Sequence, residues 1–256
     1  MRILHKAQRQ RILVDLLSEN DIMSITDLSV QLNSSVMTIR RDLEYLETKG
    51  IVKKMHGAAL LVRPETGQPS FYERIEEFDE EKSRIGITAA KMIDSGSIAF
   101  FDAGTTPLAI IEHIPDDVKF TAITPGLMTA VALCNKPNVD VIMIGGSVHQ
   151  SSYSSVNYHA VENIKRFNAD IAFISTKAIS IPEGAFEAHL PLIEVKRSLV
   201  DASTKTVLLA DRSKFEARSL CLSISLKDID LIITDDKLPE KMIEALKEEG
   251  KEFQLV

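Results

Sequence analysis

The stretch VMTIRRDLEYLETKG, residues 36–50, constrains the fold more than any other part of this sequence. Val36, Ile39, Leu43 and Leu46 recur at i, i+3, i+7 and i+10, the stripe of a helix with one buried face. With that stripe turned inward, the opposite face carries Ser35, Met37, Thr38, Arg40 and Arg41. Such residues reach base edges and phosphates when a helix lies in a DNA major groove. Gly50 supplies a C-terminal stop.

Two shorter helical patterns precede it. Residues 7–19 place Ile12, Leu13, Leu16 and Leu17 on one face. Ser24 then caps a helix with Ile25, Leu28 and Leu32 inward and Asp27 three positions on. After Gly50, the run IVKKMHGAALLV alternates enough for a hairpin with Gly57 near its turn. Lys53, Lys54 and His56 ride on it, placed for phosphate contacts beside the third helix. Periodicity alone fits a small helical bundle with a solvated charged face equally well. Clustering tips the balance: Arg40, Arg41, Lys53, Lys54 and His56 fall within 17 residues, on the two elements that would face DNA.

The net charge of −7 argues against nucleic acid when taken alone. Residues 1–62 carry nine Lys/Arg against seven Asp/Glu, and the remainder 21 against 30, so the acidity belongs to the later part. A DNA contact needs only a local basic face, because screening confines the field to about 10 Å.

Residues 62–78 lose the apolar periodicity and contain Pro64, Gly67 and Pro69, which makes them the expected linker between a domain at 1–61 and a second at 79–256. In the second, amphipathic segments alternate with short apolar runs: SIAFF, FTAIT, VDVIMI, DIAFIS, TVLLA and DLIIT. Continuous apolar strands between helices imply an α/β domain built on a mostly parallel, doubly covered sheet. Ligands in such sheets bind beyond the carboxyl ends of the strands. One such end is Asp102-Ala103-Gly104-Thr105-Thr106, where Gly104 admits close approach and a helix N-terminus with Pro107 at its first position favours an anion. Plain capping by Thr105 or Thr106 explains the hydroxyls as well. Gly145-Gly146 ends another strand, as a tight turn or a ligand contact. Lys214 follows TVLLA, where it can neutralise a phosphate or remain solvated, and Glu194 lies on a helix as a sugar-hydroxyl partner or ordinary surface.

The stretch SSVMTIRRDLEYLETKGIVKKMHGAAL resembles the DeoR-type bacterial repressor motif, here Thr38-Ile39-Arg40-Arg41-Asp42-Leu43. The later motifs, from Glu81-Lys82 through Asp102–Thr106 and Gly145-Gly146 to Asp211–Phe215, resemble the sensor domain of the same regulators. The resemblance implies that Ser35, Thr38, Arg40 and Arg41 touch DNA. It also implies a sensor similar in fold to ribose-5-phosphate isomerase, with a phosphorylated sugar as effector and Thr124 among the residues around it. Three positions depart from the pattern: Thr124-Pro125 replaces Thr-Asn, Asn157 stands where a Gly is frequent, and the Gly near Ala178 is missing, with Lys177 beside it.

The resulting expectation is a DNA-binding transcriptional regulator, a repressor of a carbohydrate-metabolism operon, with a phosphosugar isomerase-like enzyme as the alternative. The expected partners are an operator duplex, a sugar phosphate and further copies of the chain, at least a dimer, with neither a metal nor a cofactor. Cys134 and Cys221 lie far apart in apolar runs and read as buried thiols of a cytoplasmic protein. No segment has the length of a membrane span.

Overall fold

The computed structural model describes residues 5–20, 22–49, 51–55, 57–61 and 70–256. The chain divides into two compact units, Met1–Glu76 and Glu77–Val256. The first contains α1 (Lys6–Asn20), β1 (Ile22–Ser24), α2 (Ile25–Gln31), α3 (Val36–Thr48), β2 (Val52–Met55), β3 (Ala58–Leu61) and α4 (Phe71–Glu76).

Helices α2 and α3 are joined by a turn in which Asn33 takes the left-handed conformation, φ 46°. Both are capped as their sequences dictate. Ser24 Oγ accepts from Asp27 N at 2.9 Å, and Ser35 Oγ accepts from Thr38 N at 3.1 Å. β2 and β3 form the expected hairpin, and β1 adds to β3 to give an antiparallel sheet in the order β1-β3-β2. This is a winged helix-turn-helix. Leu13, Leu17, Leu28, Ile39 and Leu43 are fully buried at its centre.

Some expectations need correction. Val36 is 38% exposed: it opens α3 directly after the cap, so the buried stripe starts one turn later, at Ile39, and Asp42 takes an inward place. Inside the span expected to be linker, Phe71–Glu76 is helical. Ser70 and Glu73 cap it reciprocally, each backbone N–H donating to the other's side chain, and Phe71 is buried. The sequence carries that signal, Ser-x-x-Glu, at 70–73. Gly50, His56 and residues 62–69 lie outside the described residues.

The second unit runs α5 (Asp79–Ala90), β4 (Ile98–Phe101), α6 (Thr105–Glu112), β5 (Phe120–Thr124), α7 (Leu127–Leu133), β6 (Val139–Met143), β7 (Ser147–His149), β8 (Ser154–Val156), α8 (Asn157–Ile164), β9 (Ala169–Ser175), β10 (Ala178–Ser180), β11 (Gly184–Glu187), α9 (Leu190–Asp201), β12 (Ser203–Leu209), α10 (Ser213–Glu216), β13 (Cys221–Ser225), β14 (Leu231–Thr234), α11 (Glu240–Glu248) and β15 (Phe253–Leu255). Seven strands form one sheet in the order β15-β14-β12-β9-β4-β5-β6, with every pairing parallel.

The apolar runs are continuous because both faces are covered. Phe100, Ala172, Ile174 and Leu208 pack on the side of α8, α9 and α11. Their neighbours Ala99, Phe101, Phe173 and Val207 pack on the side of α5, α6 and α7. Beyond the main sheet lie the β7–β8 hairpin and a small antiparallel sheet, β10-β11-β13. Strands of three to five residues leave too little periodicity to be seen in advance. Asn157 has φ 72°, so the position where the family favours Gly keeps the left-handed backbone that Gly serves and Asn tolerates. The thiols are not buried: Cys134 is exposed at the end of α7, Cys221 half-buried, and both are free. No helix among the described residues is long and apolar enough to cross a membrane.

Candidate functional site

On the first unit, α3 presents Met37, Arg40 and Arg41 to solvent. Among the described residues neither arginine makes an ion pair or side-chain hydrogen bond. The acid beside Arg41 is engaged elsewhere: Asp42, 2% exposed, accepts from Arg9 Nε at 2.5 Å and Gln10 Nε2 at 3.0 Å. The inward turn of Asp42 thus keeps a carboxylate off the outer face and leaves Arg41 unneutralised. The Ser35 and Thr38 hydroxyls lie 2.8 Å apart at the helix start, so they form the cap of the surface that would meet DNA.

On the wing, Lys53 is exposed. Lys54 differs from the expectation of a free cation. Its ammonium lies 3.2 Å from Glu47 and 3.5 Å from Glu44, and its backbone N–H donates to Glu47. The hydrogen bond that its ammonium donates to Glu47 raises the Lys54 pKa, and the Lys54 backbone N–H lowers that of Glu47. The pair fastens the wing to α3.

In the second unit, strand order reverses between β4 and β9: from β4 the chain builds outward through β5 and β6, then resumes at β9 on the other side. A crevice at the carboxyl ends is expected at that point, and Asp102 sits there. Its Oδ1 accepts from Ala103 N at 2.8 Å. Its Oδ2 accepts from Ser175 N at 3.0 Å, Ser175 Oγ at 2.6 Å and Lys196 Nζ at 2.5 Å. Lys196 also donates to Ser175 O at 2.7 Å and lies 3.8 Å from Glu187. Asp102, Lys196 and Glu187 are all buried. The carboxylate of Asp102 is therefore consumed in holding the β4–α6 and β9 loops together.

That network explains Gly104 differently from the sequence. Its φ of −152° is ordinary extended backbone, but a Cβ there would run into the Ser175 side chain. The close approach is to Ser175, within the protein. Gly104 is also the N-cap of α6, which begins at Thr105, so Pro107 is the helix's third residue, inside the first turn where proline is tolerated. No side chain caps this end. The backbone N–H groups of Thr105 and Thr106 lack intrahelical acceptors by position, and both threonines are buried.

A second cluster lies on the other side of β9, at the end of β12. After β12, Asp211 is completely buried and its Oδ1 accepts from Ser213 N at 3.0 Å. Its Oδ2 has no hydrogen-bond partner among the described residues, and the Lys214 ammonium stands 3.6 Å away. Lys82, from α5, belongs to the same cluster. It is buried, donates to Glu77 O, and has its pKa lowered by burial, with Asp211 opposing and Lys214 reinforcing the shift. Arg212 pins the assembly, reaching Glu81 and Asp235 at 2.9 Å each. Its hydrogen bond pulls the Glu81 pKa down to about 2. β4 and β12 flank β9, so their loops stand roughly 10 Å apart at the backbone.

Several expected effector residues are placed otherwise. Thr124 is fully buried, its hydroxyl donating to Phe101 O at 2.6 Å and accepting from Gly126 N at 3.0 Å, so it braces the β4 and β5 ends. Glu194 is exposed near Arg197 on the outer face of α9. Two residues from Lys196 is more than half a helical turn, so the side that buries Lys196 turns Glu194 away. Gly145 and Gly146 follow the edge strand β6, three strands from β9, with Gly146 packed against β8 and α8. Sequence reasoning missed Lys82, Ser175, Glu187 and Lys196 as parts of these clusters. Lys82 and Lys196 had a legible signal, a lysine on the apolar side of an amphipathic helix.

Two family models match the chain: a DeoR-like helix-turn-helix domain over residues 9–65, and a DeoR C terminal sensor domain over residues 77–236. The chain belongs to the DeoR family. The chain is 33% identical over 243 residues to the HTH-type transcriptional regulator GolR of Listeria innocua, covering 95% of this chain and 96% of that one. It is 28% identical to a glycerol-3-phosphate regulon repressor of Haemophilus influenzae, covering 96% and 95%. Among solved structures, ribose 5-phosphate isomerase A of Methanocaldococcus jannaschii aligns with 54% of this chain and 55% of that one, at 12% identity and a TM-score of 0.41. This DeoR-family chain is a DNA-binding transcriptional regulator. The isomerase alternative falls, because the relatives are named as regulators and repressors.

Proposed function

We propose that this regulator represses a carbohydrate-metabolism operon and is retuned by a phosphorylated sugar held in the crevice of its second unit. The observation that carries the reading is the uncapped start of α6 at the strand-order reversal, with Lys82 and Lys214 clustered at the end of β12, the other neighbour of β9. Free N–H groups and buried hydroxyls on one side and two ammonium groups on the other are what a phosphate ester needs. Lys214 is the movable part, since its ion pair with Asp211 is long and a quarter of its side chain is exposed. Relatives point the same way, being named as repressors of a glycerol-3-phosphate regulon and of an aga operon. Asp102, Ala103, Gly104 and Thr124 shape the crevice wall, and Thr105, Thr106 and Lys214 contact the effector.

On the DNA side, Met37, Arg40 and Arg41 read the major groove, Ser35 and Thr38 lie at the helix end on the backbone, and Lys53 meets phosphates while Lys54, paired with Glu44 and Glu47, holds the wing beside α3. His56 belongs to the same wing by sequence. Helix-turn-helix proteins read paired half-sites, so the active form is at least a dimer, acting in the cytoplasm without metal or cofactor.

The test is a thermal-shift screen of pentose and hexose phosphates, followed by operator binding with and without the hit. A true effector raises the unfolding temperature. Lys214→Ala abolishes its effect on operator binding while leaving effector-free operator affinity intact. An unchanged response in Lys214→Ala would place the effector elsewhere.

A further inference from the structure

A cavity of about 480 Å³ lies between the β10–β11 arm, α10 and α11. It is separate from the crevice. On α10, Lys214 approaches Asp211, whereas its neighbour Phe215 lines this cavity. Ile179, Phe186, Phe215 and Met242 give it apolar walls. Its volume falls within the roughly 300–1,000 Å³ typical of small-molecule sites.

Two observations define the chemistry that fits. The hydroxyl of Ser219, on the wall, is shut off from solvent yet has no hydrogen-bond partner among the described residues. A buried polar atom left unpaired is costly, so a small shift of the wall that uncovers it to a partner in the cavity is favoured. Arg218 and Lys241 also line the cavity, and neither is ion-paired among the described residues, against a single acid, Glu216. An apolar interior with a surplus of cations and one buried hydroxyl suits a molecule with a hydrocarbon body and an anionic end.

We propose that this cavity is a second small-molecule site, which takes an amphipathic carboxylic acid. The aliphatic body lies against Ile179, Phe186, Phe215 and Met242. The carboxylate meets Arg218 and Lys241, and the Ser219 hydroxyl donates to it once the wall shifts to uncover that atom. The site is independent of the sugar-phosphate reading.

The probe is 1-anilinonaphthalene-8-sulfonate, an anion that brightens in apolar surroundings, titrated into the full chain and displaced by octanoate or by octanol. Saturable one-site binding is expected, with octanoate displacing it about tenfold better than octanol, as a charge-assisted contact requires. Arg218→Ala with Lys241→Ala removes that advantage and leaves octanol unchanged. Ala245→Phe, which fills the cavity from α11, removes binding of both. Lys214→Ala alters neither, which separates this site from the crevice. The two cation variants change exposed residues, so they decide the matter even where Ala245→Phe destabilises the chain. Absence of saturable binding, equal displacement by octanol and octanoate, or octanoate affinity unchanged in the double variant would overturn the proposal.

Discussion

The two units use charge in opposite ways. In the first, the arginines of α3 stand in water with no partner among the described residues, and the acid closest in sequence is turned inward to Arg9. In the second, Asp102, Lys196 and Glu187 are sealed from solvent and bonded to one another. An exposed cation costs little to maintain and is ready for a polyanion. A buried pair stabilises only while both members remain, because either one alone is a desolvated charge. The difference teaches that the same residue types serve as reader in one unit and as scaffold in the other, according to burial.

The largest test of that contrast is Lys196→Met. It leaves Asp102 and Glu187 without their cation, and we expect a loss of about 3–5 kcal/mol, read as a lowered urea midpoint of the second unit. A change below about 1 kcal/mol would mean the network is no scaffold. Next is the reader: Arg40→Ala and Arg41→Ala should each lose about 1–3 kcal/mol of operator binding by gel shift, with thermal stability changed by no more than about 0.5 kcal/mol. A large stability loss there would erase the comparison. Gly104→Ala sharpens it, since the added methyl meets Ser175 and should cost about 1–3 kcal/mol in the same urea experiment, with operator affinity of the effector-free chain preserved.

The last test concerns acid stability. The Glu81 pKa is depressed to about 2 from the ordinary 4.5, so its contribution is full above 4.5 and lost as pH falls toward 2. Removing the cation in Arg212→Met should flatten that limb of the stability–pH curve, and an unaltered limb would assign the acid lability to other carboxylates.

Much of this was legible beforehand, for definite reasons. Helix α3 was readable because its apolar stripe and the Gly50 stop after it are local. The parallel sheet was readable because strands covered on both faces must be apolar at every position. Short elements such as β1, β7, β8 and β10 were not readable, since three residues hold no period. Among candidate site residues, Lys214 stands beside the buried Asp211 after β12, while Glu194 lies on the outer face of α9. A helix face is set by what packs against it, and only the packed α9 shows Lys196 inward and Glu194 outward.

Sequence by itself determined the two-part plan: a winged helix with basic residues on its outer face, then strands ending in Asp102–Thr106 and Asp211–Lys214. Those features depend on neighbours within a turn or a strand, where periodicity and capping act. Tertiary structure alone decided which charges are free. Whether Asp42 neutralises Arg41 or faces Arg9, and whether Asp102 is open to a ligand or held by Ser175 and Lys196, depends on groups 33 and 94 residues away. Burial is settled by the whole fold, and burial fixes what a charged group can do.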